Sequence, residues 1–457
     1  MSSLADDLSS LLGPGRISVS VPDLAAHATD KWFASSPPQV VVHAKSAEDV
    51  AQTLRYATEH GVPVTPQGAR VGYVGGCVPA QGGIALSVLG MNRILEVNTA
   101  DGVAVVEPGV ITGDLQKAVR ELGWFYPPDP ASLKECSLGG NIATNAGGPR
   151  CLKYGVTRHY VLGLEAVLAD GSLVKAGGRC HKNKTGFDLV GLMVGSEGML
   201  GVVTQATLRL IPHPPTRAML SAGFRTFAEA ANAVQRILNS GFLPSALEIA
   251  DKFTLRAARE YLGESVTPRG DAHLLVEIDG HESSVKGELA LLADLVRSLG
   301  CIELEEALGE EACERFWKLR REFSYSLRNT GLIKLNEDIV VPRSRLVDLV
   351  DFAEQLQARH GFPVACFGHA GDGNIHVNIM VPTMDEPAIR ERAEEALDAL
   401  FHQIIAWNGA ITGEHGVGIA KKRWWRHAVS DAAHEAHLKV KAALDPKGIL
   451  NPGKFLG

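Results

Sequence analysis

No C-x-x-C pair occurs anywhere in the chain. Its seven cysteines, Cys77, Cys136, Cys151, Cys180, Cys301, Cys313 and Cys366, are scattered. An odd, dispersed set argues against a disulfide framework or a cysteine-held iron–sulfur cluster and fits a reducing compartment. Nor is there an apolar run near the roughly 18 residues a membrane-crossing helix needs, although peripheral attachment through a partner stays open. The N-terminus carries Asp6 and Asp7 and no basic residue before Arg16, unlike a signal or transit peptide. The expected location is cytoplasmic, extending at most to the inner face of a membrane. Positive charge is not in excess: 45 lysines and arginines stand against 52 acidic residues, for a net charge of −7. That balance speaks against nucleic-acid binding.

What is present is 457 residues with 45 % hydrophobic and 21 % charged content and 48 glycines. Such a chain folds, as two or three domains, with many places where backbone turns tightly or approaches a ligand. Val40–Val42 reads as a strand and Ser46-Ala-Glu-Asp49 as a capping box opening a helix with Val50, Leu54 and Ala57 inside. A second strand is expected at Val62–Thr65, and a short helix capped by Thr112. From Pro127 to Gly201 small residues dominate, and sheet with ligand-hugging loops is expected there, with strands at Leu162–Leu168 and Val202–Leu210. Ile211-Pro-His-Pro-Pro215 is the clearest boundary. Beyond it, helices at Thr226–Ser240, Ser284–Leu299 and Ser344–His360 alternate with strands such as His273–Ile278, which predicts an α+β or α/β second domain.

Two familiar phosphate motifs are missing, G-x-G-x-x-G and G-x-x-x-x-G-K-[ST]. Three other glycine-rich stretches occur instead: Pro66–Gly76, Cys136–Gly148 and Gly195–Val203. A single one is an ordinary turn. Three within one half of a chain suggest an extended cofactor laid along backbone N–H groups.

The second signal is Cys366-Phe-Gly-His369-Ala-Gly-Asp-Gly-Asn-Ile-His376-Val-Asn378. Turn chemistry between apolar pieces sets His369 and His376 across a hairpin, and His376 and Asn378 share a strand face. Asp372 is explained by the turn. Gly413-Glu414-His415-Gly adds a carboxylate and a third histidine. Two histidines and a carboxylate suit a divalent metal with open positions. Alone, each histidine would be taken for a core or surface residue.

These segments resemble the flavin-linked oxidoreductases of the vanillyl-alcohol-oxidase type. Within them they are most similar to the group of glycolate oxidase D-subunits, D-lactate dehydrogenases and D-2-hydroxyglutarate dehydrogenases. The resemblance runs from about Pro37 to Asp445–Lys454. It implies an α+β chain with a two-part FAD-binding domain (a small βαβ part and a larger mixed part) over 1–213. An α+β cap or substrate domain over 214–410 and a C-terminal segment over 411–457 returning to the flavin would follow.

It implies that Gly68, Ala69, Arg70, Val71, Gly72 and Gly76 cradle the FAD pyrophosphate. Pro130, Ser137, Gly139, Gly140, Thr144, Asn145 and Gly148 would line the flavin, Glu197, Gly198 and Val203 hold the nucleotide end, and Asn451 reach back to the ring. Arg70 and Val71 stand where the family usually has glycine and threonine. With no histidine or cysteine in this loop, the FAD is expected to be noncovalent. His369, His376 and Glu414 would hold zinc, manganese or iron, with His415 as catalytic base and substrate contact. Phe316-Trp-Lys-Leu-Arg320 matches the family's W-x-x-R, so Arg320 would clamp a substrate carboxylate, with Ser324, Lys334 and Asn378 beside it. Lys318, Arg321, Glu322, Glu337 and Asp338 are expected to be structural or solvated.

The implied activity is oxidation of a D-2-hydroxy acid to the 2-oxo acid. Electrons would pass to a quinone, an electron-transfer protein or an iron–sulfur subunit. The alternative is a flavin-bearing subunit active only within a multi-chain glycolate-oxidising complex. A homodimer is left open.

Overall fold

The computed structural model describes residues 3–456. The chain divides into two units, one of residues 1–147, 155–213 and 414–457, the other of 148–154 and 214–413.

In the first unit, strands Val40–His43 and Val64–Gln67 flank Ile84–Ser87, all parallel, and Ile17–Ser18 adds an antiparallel edge. Helix Ala47–His60 makes the crossover. Its Val50, Leu54 and Ala57 are fully buried against Val40, Val42, Ile84 and Leu86. Replacing Leu54 with alanine should cost about 2–5 kcal/mol. Ser46 Oγ caps Asp49 N–H, but the Asp49 carboxylate reaches back to Lys45 N, one residue before the cap, so the expected box closes only on one side. The C-terminal tail joins this layer: Val64 N–H donates to Ile449 O and Asn451 N–H to Val64 O.

A five-stranded antiparallel sheet follows, ordered Ile94–Asn98, Val103–Val106, Val202–Arg209, Val161–Val167, Leu173–Gly177. Two expectations need correction here. Thr112 is the first residue of helix Thr112–Arg120, not its cap; its hydroxyl bonds Cys136 O and accepts from Asn141 Nδ2. The glycine-rich stretch after Cys136 is not loop throughout, because Leu138–Thr144 is helical under a Ser137 cap.

The second unit is built on a seven-stranded, wholly antiparallel sheet. Its order is Glu303–Leu308, Thr216–Phe224, Ala272–Gly280, Ala246–Ala250, Val364–His369, Asn374–Val381, Ile333–Val340. Period-two alternation sends side chains to two faces. Ala250, Ala365, Phe367 and Met380 pack on helices Lys252–Leu262 and Glu310–Arg328 through Leu255, Leu319 and Phe323. Leu335, Ile379 and Val381 pack oppositely, against helix Pro387–Ala406 through Ala393 and Ala396. The first of these faces also carries most of the buried polar groups.

Candidate active site

In the first unit a few hydrogen bonds fasten the three glycine stretches to one another. Ser137 Oγ accepts the N–H of Gly140 at 3.4 Å and of Ala69 at 3.2 Å, joining the 68–72 loop to helix Leu138–Thr144. A Cβ on Gly68 would lie 2.4 Å from Ser137 Oγ and would displace the hydroxyl that makes these bonds. Gly139 lies against Pro108 just as tightly. At the helix's other end, Ile142 O and Ala143 O accept the N–H groups of Gly195 and Glu197. Asn451 Nδ2 then donates to Gly76 O at 2.8 Å and Glu197 O at 2.7 Å.

Backbone strain collects at the same residues. Five described non-glycine residues have left-handed φ, and four of them are Arg70 (57°), Asn145 (53°), Glu197 (50°) and Asn451 (45°). Each such residue costs of order 1–3 kcal/mol and persists where surrounding structure dictates it, commonly at functional sites. Arg70 Nη1 is buried without a hydrogen-bond partner, an expensive state that an anion would relieve. A glycine-lined loop with an unanswered guanidinium N–H fits a pyrophosphate.

The other expected cofactor residues are ordinary in their bonding. Thr144 Oγ1 returns to Gly140 O in its own helix, Val203 pairs with Ala166 in the sheet, and Gly198 (φ 71°) packs on Pro66. Pro130 O caps the turn to Leu133. Gly72 O accepts Lys31 N–H. Val71 offers no polar side chain. Gly148 belongs to the second unit.

Glu197 also reaches the C-terminal segment. Its carboxylate accepts the N–H of Val417 at 2.7 Å and of Gly418 at 2.8 Å, and burial pushes its pKa up. This fixes the turn that begins Glu414-His415. Tyr73 lies tilted beside the His415 ring, centroids 5.4 Å apart, and Glu414 Oε1 stands 3.9 Å from His415 Nε2.

In the second unit the histidine hairpin forms with a diagonal register. His369 stands opposite Asn374 and His376 opposite Phe367, so the two rings share one face, centroids 5.5 Å apart and both buried. Asp372 Oδ1 accepts Asn374 N–H, as its turn role requires. Glu248, on the adjoining strand Ala246–Ala250, bridges two candidate residues. Its Oε1 meets His369 Nδ1 and its Oε2 accepts Arg320 Nε–H, each at 2.6 Å. Burial pushes the Glu248 carboxyl up, but His369 and Arg320 prevail and hold it down to about 2. The Arg320 guanidinium lies 4.8 Å from the Phe367 ring centroid, and its terminal Nη groups are not committed to Glu248.

One turn along the helix, Ser324 accepts from Lys334 Nζ at 2.8 Å. Burial, helped by Arg328, brings the Lys334 pKa down to about 8. Asn378 gives both Nδ2 hydrogen bonds to backbone, Ala365 O and His376 O, and its Oδ1 is buried without a partner.

Three buried carboxylates of this unit gather residues from distant parts of the chain. Besides Glu248, Asp338 pairs across the ladder with His376. It accepts Asn374 Nδ2 at 2.7 Å, Thr412 Oγ1 at 3.0 Å and Gly413 N–H at 2.8 Å. Glu414 follows Gly413 by one peptide unit, about 3.8 Å between Cα atoms. Glu277 takes Arg150 and Arg217, the Trp317 indole N–H and Ser245 Oγ. Glu248 is visible in the sequence as the lone charge in Ala-Leu-Glu-Ile-Ala. Asp338 holds the approach to Glu414 through Thr412 and Gly413.

The family model described as FAD linked oxidases, C-terminal domain, matches residues 213–455, and that of the FAD binding domain matches 38–177. A glycolate oxidase subunit of Bacillus subtilis is 37 % identical over 92 % of this chain and 89 % of its own. A D-2-hydroxyglutarate dehydrogenase of Stutzerimonas stutzeri is 33 % identical over 99 % and 98 %. A D-lactate dehydrogenase of Anaerostipes hadrus is also 33 % identical, over 93 % and 90 %. Crystalline p-cresol methylhydroxylase shares the fold, with a TM-score of 0.80 at 19 % identity over 99 % of this chain and 96 % of that one. No described helix is long and apolar enough to cross a membrane. These matches establish that the chain belongs to the FAD-linked oxidases and is an FAD-dependent oxidoreductase.

Proposed function

We propose that the protein oxidises a D-2-hydroxy acid to its 2-oxo acid, using noncovalent FAD and a divalent metal held by His369, His376 and Glu414. The observation that carries this reading is the buried His369–His376 pair beside Arg320 on one sheet face. Two imidazoles suit a metal, and a guanidinium suits a carboxylate. The names of the relatives, which specify glycolate, D-lactate and D-2-hydroxyglutarate, point to the same substrate class.

Arg320 binds the substrate carboxylate through its Nη groups and orients the α-carbon. Lys334 and Ser324 supply a further cation and hydroxyl, and Asn378 Oδ1 an acceptor. His415 takes the substrate's hydroxyl proton onto its imidazole as the carbonyl forms. The metal, when bound, lowers the pKa of that hydroxyl. FAD, when bound, accepts the α-hydrogen with its electron pair. Asp338 and Glu197 fix the backbone on either side of Glu414-His415 and so set where the base stands. The electrons would leave to an external acceptor.

A panel of D- and L-2-hydroxy acids, scored for anaerobic flavin bleaching, tests the reading. Bleaching by D acids alone supports it; none by any 2-hydroxy acid refutes it. The word subunit in the Bacillus relative's name favours a second reading, a chain active only with partners. Dye-coupled turnover of the purified single chain would refute that one.

A further inference from the structure

Glu248 sits between two groups to which the proposed function gives different tasks. It is 1 % exposed, and each oxygen has one partner, His369 Nδ1 or Arg320 Nε. We infer that Glu248 is a positioning residue that sets the His369 tautomer and the Arg320 orientation together, an inference that rests on the proposed metal and substrate roles of those two residues.

The chemistry follows from the donor inventory. An ionised carboxylate only accepts hydrogen bonds. Oε1 therefore requires a proton on His369 Nδ1, which makes Nε2 the nitrogen able to ligate a metal. Oε2 requires the Arg320 Nε–H, which leaves Nη1 and Nη2 to present their paired donors to a carboxylate. The fold supplies the means: Ile249 pairs with Gly368, so Glu248 lies one residue away, beside His369, on the same face. Phe367 beneath the guanidinium limits its swing. The substitution Glu248→Gln keeps the shape but leaves one acceptor and one donor where there were two acceptors. The amide oxygen can then satisfy either Arg320 or the Nδ1–H of His369, not both. Its NH₂ against the ring would favour the Nε2–H tautomer, which cannot bind metal through Nε2.

The test is Mn²⁺ uptake by metal-free protein, measured by competition with a chromophoric chelator. Parent, E248Q and H376Q are compared, with FAD content and circular dichroism recorded for each. Removing such a supporting partner typically weakens metal binding about 10–100-fold, and E248Q should fall in that range with FAD retained. A parent and E248Q that bind Mn²⁺ equally well would overturn the inference and leave the metal assignment intact. A parent that takes up no Mn²⁺, or an H376Q variant that binds it as tightly as the parent, would overturn both.

Should E248Q fail to fold, the parent answers alone. Histidine ¹⁵N resonances, with His369 assigned through H369Q, should show the proton on Nδ1. An Nε2–H tautomer in the parent contradicts the inference.

Discussion

Asp338 faces His376 directly across the antiparallel ladder, and the carboxylate of Asp338 holds the N–H of Gly413, the residue before Glu414. A candidate metal histidine and the chain entering the candidate metal carboxylate are thereby referred to one buried acid. Asp338→Asn keeps the shape but turns one acceptor into a donor facing Gly413 N–H or Asn374 Nδ2. Loss of a buried acceptor costs about 1–3 kcal/mol. The variant should melt lower and hold less metal while retaining FAD; unchanged metal content would show that Asp338 merely stabilises the sheet.

Arg70 should contribute to FAD binding. A charge-assisted contact to phosphate is worth roughly 1.5–3 kcal/mol. Arg70→Ala should therefore raise the FAD dissociation constant about tenfold or more. Fluorescence titration of apoprotein measures it. Binding by Arg70→Gly equal to that of the parent would show that the arginine only occupies space.

Glu277 predicts part of the acid limb of stability. Burial pushes its carboxyl up, but Arg150, Arg217 and Trp317 hold it down to about 2, below an ordinary value of 4.5. Because the folded value is the lower one, its contribution is complete above pH 4.5 and is lost as pH falls towards 2. Glu277→Gln leaves two arginines without their acid and should cost about 3–5 kcal/mol at neutral pH. Denaturant midpoints against pH should show a shallower acid decline for the variant. An unaltered decline would assign the limb to other carboxylates.

Lys334, brought down to about 8 by burial, should be charged at neutral pH and lose its charge through pH 8. If it binds the anionic substrate, KM should rise above that pH while kcat changes little. Lys334→Met should have a high KM with no such rise. An alkaline rise that survives the substitution belongs to another group.

Where local rules and tertiary demands agree, the sequence is easily read. Ser46 before Val50, Leu54 and Ala57 announces its helix, and the structure places those residues in the core. The glycine stretches are recognisable because close approach of neighbouring chain admits little else, as Gly139 against Pro108 shows. The helix Leu138–Thr144 is hidden because its two glycines have low helical propensity; its Ser137 cap and the N–H groups of Gly195 and Glu197 compensate. The roles of Glu248, Asp338 and Glu277 are hidden for another reason. Their partners come from distant strands and helices, and only the sheet order brings them together. An acid's neighbours cannot be read from spacing when the nearer of its two partners, for Glu248, is 72 residues away.

In the proposed chemistry His415 takes the hydroxyl proton while Glu414 serves the metal, and stopped-flow anaerobic reduction of two variants tests that central claim most directly. His415→Asn should retain metal and FAD yet reduce its flavin with a D-2-hydroxy acid about 10²–10⁴-fold more slowly, while dithionite still reduces it at the parent rate. Glu414→Gln should lose metal and flavin reduction together. If His415→Asn loses its metal, or Glu414→Gln keeps a full complement, the division of roles between these adjacent residues is wrong.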